Sequence, residues 1–166
     1  MNYICHIMKD IRIGHGYDVH AIGEGLDMYL GGVCVCKGLG FIAHSDGDVA
    51  IHALCDALLG ALALGDIGHL FPDTDAQWKG ISSLILLEKV MERVHSLGWE
   101  LGNADITIAL QRPKIAPYVE QMRLSLAKTM GTEPERVSIK ASTTEGLGFV
   151  GRKEGCQVWA SVLLIK

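Results

Sequence analysis

Residues 43–75, AHSDGDVAIHALCDALLGALALGDIGHLFPDTD, are where the chain changes period, and the fold follows from how they are read. Ser45 followed three residues later by Asp48 resembles a capping signal. Behind it Val49, His52, Ala53, Asp56, Ala57 and Gly60 recur at helical spacing up to Gly65, which predicts a compact Ala-rich helix. Upstream the period is two: residues 11–22 alternate as a strand, and residues 29–36 read as a second strand entered through the turn GEGLD. Downstream, a long loop over residues 65–80 leads to a helix capped by Ser82, with Leu84, Leu87, Val90, Met91 and Val94 on one face and Gly98 as its stop. Loops of that length inside a compact domain are usually functional. Ala104, Ile106, Ile108 and Leu110 then alternate as a strand that ends at Pro113, Pro117 opens a helix running to Gly131, and residues 137–143 and 156–165 form two last strands around a Gly-rich loop. The expected order is ββααβαββ. Strands and helices that do not alternate one for one predict an α+β two-layer sandwich, a mostly β sheet with helices on one face.

Composition narrows the function. The chain has 166 residues with 15 Lys+Arg against 19 Asp+Glu, a net charge of −4, and is 49% hydrophobic. It is too apolar for a disordered chain and too acidic for one that holds nucleic acid by neutralising phosphates, so a small-molecule partner is expected. Glycine, 20 of 166 residues, is well above the usual share of about 7%. Cys5, Cys34, Cys36, Cys55 and Cys156 form no CxxC pair and sit in segments that read as core, the usage of reduced thiols in a cytoplasmic protein. The opening MNYICHIMKD lacks the apolar run of a signal peptide, and the apolar stretch 49–64 is broken by His52 and Asp56 and too short to span a bilayer. Residues 1–10 are expected to be an extension before one domain over 11–166.

Chemistry concentrates in three places. Within GHGYDVH, Asp18 and His20 are two apart on a strand and project to one face, where they can grip a single metal ion. A third ligand can come from His52, which lies on a helix with Asp48 and Asp56 four residues to either side. A neutral imidazole in such a place prefers a partner on each nitrogen, one being metal and the other a carboxylate. Two histidines and one carboxylate leave the fourth position open, which is a catalytic rather than a structural zinc arrangement. The loop Gly65-Asp66-Ile67-Gly68-His69-Leu70-Phe71-Pro72-Asp73-Thr74-Asp75 is suited to holding substrate hydroxyls and lacks EF-hand spacing. Ser142-Thr143-Thr144-Glu145, at a strand end, offers hydroxyls and one carboxylate for phosphate oxygens and a hard ion such as magnesium. No Walker A sequence, GxGxxG fingerprint or Ser-His-Asp elbow accompanies them.

The strings RIGHGYDVHAIGEG, AHSDGDVAIHALCDALLGALALGDIGHLFPDTD, LGNADITI, QRPKIAPY and ASTTEGLGFVGRKEG, in this order, resemble the 2-C-methyl-D-erythritol 2,4-cyclodiphosphate synthases of the non-mevalonate isoprenoid pathway, over nearly the whole chain after Asp10. The resemblance implies conversion of 4-diphosphocytidyl-2-C-methyl-D-erythritol 2-phosphate to the cyclic diphosphate with release of CMP. It implies zinc, or another divalent transition metal, on Asp18, His20 and His52, and magnesium or manganese on Glu145. His44 and Thr143 match the transition-state stabilisers. Asp18, Val19, His20, His44 and Ser45 match positions against the substrate's phosphate and erythritol portion, and Asp66, Ile67, Gly68, Phe71, Pro72, Asp73, Thr74 and Asp75 those that hold its hydroxyls. Leu110, Gln111, Arg112, Pro113, Lys114, Ile115 and Ala116, with Ser142, Thr143, Thr144 and Glu145, match the cytidine pocket. Phe149 and Arg152 match positions at an axial cavity of a homotrimer that has its active sites between subunits. No nucleic acid or membrane partner is implied, and the location is the cytoplasm.

Several residues depart from the pattern: Ser142 replaces a usual Thr, Gly146 a common Lys, and Arg112, Ile115 and Ala116 vary from the commonest cytidine-loop residues. Trp159 stands where an acidic residue often occurs, which weakens the case for an isoprenoid diphosphate in the axial cavity. A non-catalytic metal- and nucleotide-binding relative is the alternative, and the intact His44, Thr143 and Glu145 argue against it. From the 166 residues a lone cyclase domain is expected, with no room for a fused cytidylyltransferase.

Overall fold

A computed structural model describes residues 10–166 other than 73 and 79. The strands are β1 (Ile11–Glu24), β2 (Met28–Leu30), β3 (Val33–Cys36), β4 (Leu39–Phe41), β5 (Glu100–Ala109), β6 (Val137–Ser142) and β7 (Gly155–Ile165). The helices are α1 (Val49–Ala61), α2 (Ile67–Leu70), α3 (Ser83–Ser96), α4 (Val119–Met130) and α5 (Gly148–Gly151). Five strands form one mixed sheet in the order β4-β1-β7-β5-β6, in which β5 and β6 are parallel and the other neighbours antiparallel. Strands β1, β5 and β6 therefore finish at the same end of the sheet, and the candidate residues gather there.

Helices cover one face. Val158, Ala160, Val162 and Leu164 of β7 and Ile106 and Ile108 of β5 point inward and are buried with Leu54, Leu58, Leu87, Val90 and Leu126 of the helices. Each of the Val, Leu and Ile side chains among them contributes about 1.5–3 kcal/mol by leaving water. On the opposite face, bare among the described residues, Ile13, Tyr17 and Val19 of β1 stand exposed. This is the expected α+β layering: among the described residues α1, α3 and α4 pack on one face of the sheet.

Two glycines set the distance between the layers. A Cβ at Gly14 would lie 1.8 Å from the Ala57 carbonyl oxygen, and one at Gly16 2.0 Å from that of Ala53. Backbone meets backbone there, with small residues on both sides, and α1 is drawn tightly onto β1.

The order differs in detail from the one expected. Residues 29–36 are not one strand but the hairpin β2-β3, because Gly31 and Gly32 take φ of +56° and +76° and reverse the chain. Strand β4 was not anticipated. Helix α1 is capped by Asp48, not Ser45, and ends at Ala61 rather than near Gly65. The 65–80 loop contains α2, and the Gly-rich loop contains α5. Cys55 and Cys156 are buried and free as expected, while Cys34 and Cys36 are free but only partly buried. Cys5 and the extension lie outside the described residues, apart from Asp10.

Candidate metal centre and nucleotide hollow

Strand β1 delivers Asp18 and His20 to its helix-facing side, and the close approach of α1 brings His52 to them. Asp18 Oδ2 lies 3.1 Å from His20 Nε2 and 3.2 Å from His52 Nδ1. Among the described residues these three are the group whose ligand atoms, all within 4.8 Å of one another, could hold a metal ion. Ligands about 2.0–2.1 Å from a tetrahedral ion are separated by about 3.4 Å, so the spacing fits.

Proton positions fit as well. His20 Nδ1 faces the Gly47 carbonyl oxygen at 3.0 Å. A carbonyl can only accept, so Nδ1 carries the hydrogen and Nε2 presents a lone pair toward Asp18. His52 Nε2 faces the hydroxyls of Ser45 and Ser83, each at 3.0 Å, leaving Nδ1 toward Asp18. When neutral, the two rings bring an imidazole nitrogen each and a carboxylate to one point, a donor set suited to a cation; when protonated, the same nitrogens hydrogen-bond the Asp18 carboxylate. Burial alone would raise the Asp18 carboxyl pKa, but the hydrogen bonds and charges of His20 and His52 outweigh it and hold the group far below the usual carboxylate range. For His20 burial pushes the imidazole down, and Asp18 outweighs it, so the pKa lies above the ordinary value.

The cluster opens into a pocket of about 320 Å³. His44, Ser45, Ile67, Gly68 and Phe71 of the expected residues line it, with Asp56, which the sequence placed one turn from His52, and Ala43, Trp78, Ile81 and Leu86, which the sequence did not single out. Asp56 accepts the Ile67 N–H at 2.7 Å and so ties α1 to the start of α2. Burial raises its pKa, the Ile67 amide opposes the shift, and nearby Asp66 and Asp18 add to it. Asp48 does not flank His52 as expected. Its fully buried carboxylate accepts the amides of Gly31, Gly32 and Ile51, locking the hairpin turn to the start of α1. Burial raises the Asp48 pKa, opposed mainly by the Gly32 amide.

The other expected residues are placed elsewhere. Val19 is exposed on the opposite side of the strand. Asp66 caps α2, accepting the His69 amide at 3.0 Å and pairing with its ring. Hydrogen bonds from His69 lower the Asp66 pKa, and the same pairing raises that of His69. Pro72, Thr74 and Asp75 do not line the pocket, and Asp73 lies outside the described residues.

A second hollow of about 170 Å³ is lined by Leu110, Gln111, Pro113, Lys114, Ile115, Ala116, Ala141, Ser142 and Thr143. It shares no lining residue with the first. Leu110 N donates to Ser142 O at 3.0 Å, joining the loops after β5 and β6, and the Arg112–Pro113 peptide is cis. The Gln111 Oε1 atom is buried without a partner. At the rim Thr143 Oγ1 donates to Glu145 Oε1 at 2.8 Å, and Glu145 takes φ of +51°, an uncommon conformation for a residue with a side chain. Thr144 Oγ1 donates to Leu147 O, turning the loop. Arg112 is exposed beside the hollow. Phe149 and Arg152 sit in and just after α5, outside both hollows, with Arg152 paired to Glu154.

A family model described as the YgbB family matches residues 11–165. Over 156 residues the chain is 55% identical to the 2-C-methyl-D-erythritol 2,4-cyclodiphosphate synthase of Pseudomonas syringae pv. syringae (strain B728a), covering 94% of this chain and 99% of that relative. Its fold is similar to the bifunctional IspDF of Campylobacter jejuni, with a TM-score of 0.92 and 45% identity over 95% of this chain, which spans 42% of that longer protein. It is also similar to the IspF of Plasmodium falciparum in a CDP complex, with a TM-score of 0.82 and 34% identity, covering 93% of this chain and 96% of that one.

Proposed function

The chain belongs to the YgbB family, whose relatives are lyases of isoprenoid precursor synthesis, and from that premise we propose that it converts 4-diphosphocytidyl-2-C-methyl-D-erythritol 2-phosphate to 2-C-methyl-D-erythritol 2,4-cyclodiphosphate in the cytoplasm, releasing CMP. An oxygen of the 2-phosphate attacks the β-phosphorus of the same molecule, and the bond from that phosphorus to the bridging oxygen of the α-phosphate breaks. Bringing anions together in an acidic protein makes alignment and charge neutralisation the main tasks. The observation that carries the reading is the Asp18, His20 and His52 cluster lining a pocket, with one ring nitrogen of each histidine turned toward the Asp18 carboxylate.

Asp18, His20 and His52 would hold a zinc ion and Glu145 a magnesium or manganese ion, which would supply positive charge against phosphate oxygens. His44, exposed at the pocket rim, and Thr143, whose hydroxyl reaches Glu145, stabilise the charge that develops on the phosphorus. Ser45 and the loop bearing Asp66, Ile67, Gly68, Phe71 and Asp73 hold the methylerythritol portion. The loop of Leu110 to Ala116, with Ser142 to Glu145, receives cytidine through backbone groups and the unpaired Gln111 carbonyl.

Metal pocket and nucleotide hollow are separate depressions of one chain, and the bare face of the sheet carries Ile13, Tyr17 and Val19. Both features suit a homotrimer packed through its sheets, in which one subunit's metal pocket faces the next subunit's nucleotide hollow. Incubation with the cytidine diphosphate substrate and divalent metal, followed by 31P NMR, tests the reading: cyclic diphosphate and CMP are expected, and an unchanged substrate spectrum refutes it. Elemental analysis of Asp18, His20 and His52 variants tests the centre, and metal retained undiminished in His52→Ala sinks that assignment.

A further inference from the structure

His52 uses one ring nitrogen toward Asp18, and what its other nitrogen meets decides how well the first can donate. Two hydroxyls compete for Nε2, those of Ser45 and Ser83, at the same 3.0 Å. Their surroundings differ. Ser45 lines the pocket and accepts the Gly47 amide at 3.2 Å. Ser83 is fully buried, in the first turn of α3, and lines neither the metal pocket nor the second hollow. Its hydroxyl donates to Asp46 Oδ1, and its backbone N–H donates to Asp46 Oδ2 at 3.0 Å. A carboxylate oxygen can only accept from it, so the one hydroxyl proton of Ser83 is committed to Asp46. The oxygen's lone pairs are then left for a hydrogen on His52 Nε2.

We propose that Ser83, backed by Asp46, is a positioning residue that fixes His52 as the tautomer with a bare Nδ1 and so raises the affinity of the centre for its metal. This rests on reading Asp18, His20 and His52 as a metal site. Ligating histidines commonly pass their second hydrogen to a carboxylate, which orients the ring and makes the ligating nitrogen a better donor. Here the carboxylate acts through a hydroxyl: Asp46 polarises the Ser83 O–H, and the Ser83 oxygen accepts from Nε2 more strongly. Ser45 is thereby free to turn its hydroxyl toward a molecule in the pocket while His52 remains held.

The test uses the full chain stripped of metal and titrated with zinc against a chromophoric chelator. Ser83→Ala is expected to weaken zinc binding by about 10- to 100-fold. It leaves the backbone N–H of residue 83 on Asp46, so the start of α3 keeps its cap. Ser83→Thr, which restores a hydroxyl, is expected to recover most of the loss, and Ser45→Ala to weaken zinc binding by less than about 5-fold. The ring 15N shifts of His52 in the metal-free wild type should report the Nε2–H tautomer, and in Ser83→Ala a mixture; a helix-capping role alone would not move them. Should Ser83→Ala not fold, Asp46→Asn keeps an acceptor for the residue 83 amide and is expected to lower affinity by about 10-fold through loss of the polarising charge. Equal zinc affinity in wild type and Ser83→Ala, a loss confined to Ser45→Ala, or an Nδ1–H tautomer in wild type overturns the proposal. Wild type that takes up no zinc overturns the metal reading itself and this proposal with it.

Discussion

Around Asp18, His20 and His52 side chains are held by other buried groups: His20 by the Gly47 carbonyl, His52 by Ser83, Ser83 by Asp46, and the start of α1 by Asp48. Around the nucleotide hollow the framework is main chain. Leu110 is tied to Ser142 through backbone groups, Glu145 is placed by a left-handed turn, and most of the polar side chains are exposed. The contrast shows two ways of fixing a site: one depends on which atoms are present, the other on the path of the chain. Substitution should therefore cost stability at the first and mainly ligand response at the second.

Asp48→Ala should show the largest effect, because it leaves the amides of Gly31, Gly32 and Ile51 without their acceptor in a buried place. We expect about 3–5 kcal/mol lost in urea unfolding; a loss under about 1 kcal/mol would mean that the hairpin turn finds other partners. Gly16→Ala comes next, since its Cβ would sit 2.0 Å from the Ala53 carbonyl oxygen. About 2–3 kcal/mol should go as α1 is pushed from β1, and zinc uptake with it. Retention of zinc at wild-type affinity would show that the layer spacing does not set the metal geometry.

On the other side of the comparison, Glu145→Gln should change stability by less than about 0.5 kcal/mol, as expected for an exposed side chain. It should keep zinc and reduce magnesium-dependent CMP release; unchanged turnover at limiting magnesium removes Glu145 from the second metal. Ser142→Thr should be the mildest change. Its hydroxyl donates only to the neighbouring Thr143 carbonyl, and the side chain is exposed on a strand, where Thr is well tolerated. CDP affinity by calorimetry should match wild type, and a clear drop would mean that this hollow depends on side chains more than its framework suggests.

The same contrast explains what could be read from the chain. Asp18 and His20 are legible because a period of two puts them on one face, and His52 because it sits among small apolar residues on a helix. The α+β layering follows from the switch of period at residue 49. The hairpin β2-β3 was hidden because its residues are a continuous apolar run, and only the positive φ of Gly31 and Gly32 separates its strands. Asp46 and Ser83 lie 37 apart in sequence and meet because α3 packs beside α1, which no local pattern records. Around the second hollow the framework is largely main chain, which is alike in most residues, so spacing alone says little there.

One last consequence lies in β1. Its helix-facing residues, Gly14, Gly16, Asp18 and His20, set the spacing to α1 and include two of the three candidate ligands, while Ile13, Tyr17 and Val19 alternate with them on the opposite face. A single ribbon thus carries two instructions in two interleaved phases, and neither phase can slip without the other. Inserting one residue between Gly16 and Asp18 would turn Asp18 and His20 outward and Val19 inward, disarming the metal centre and roughening the outer face in one stroke.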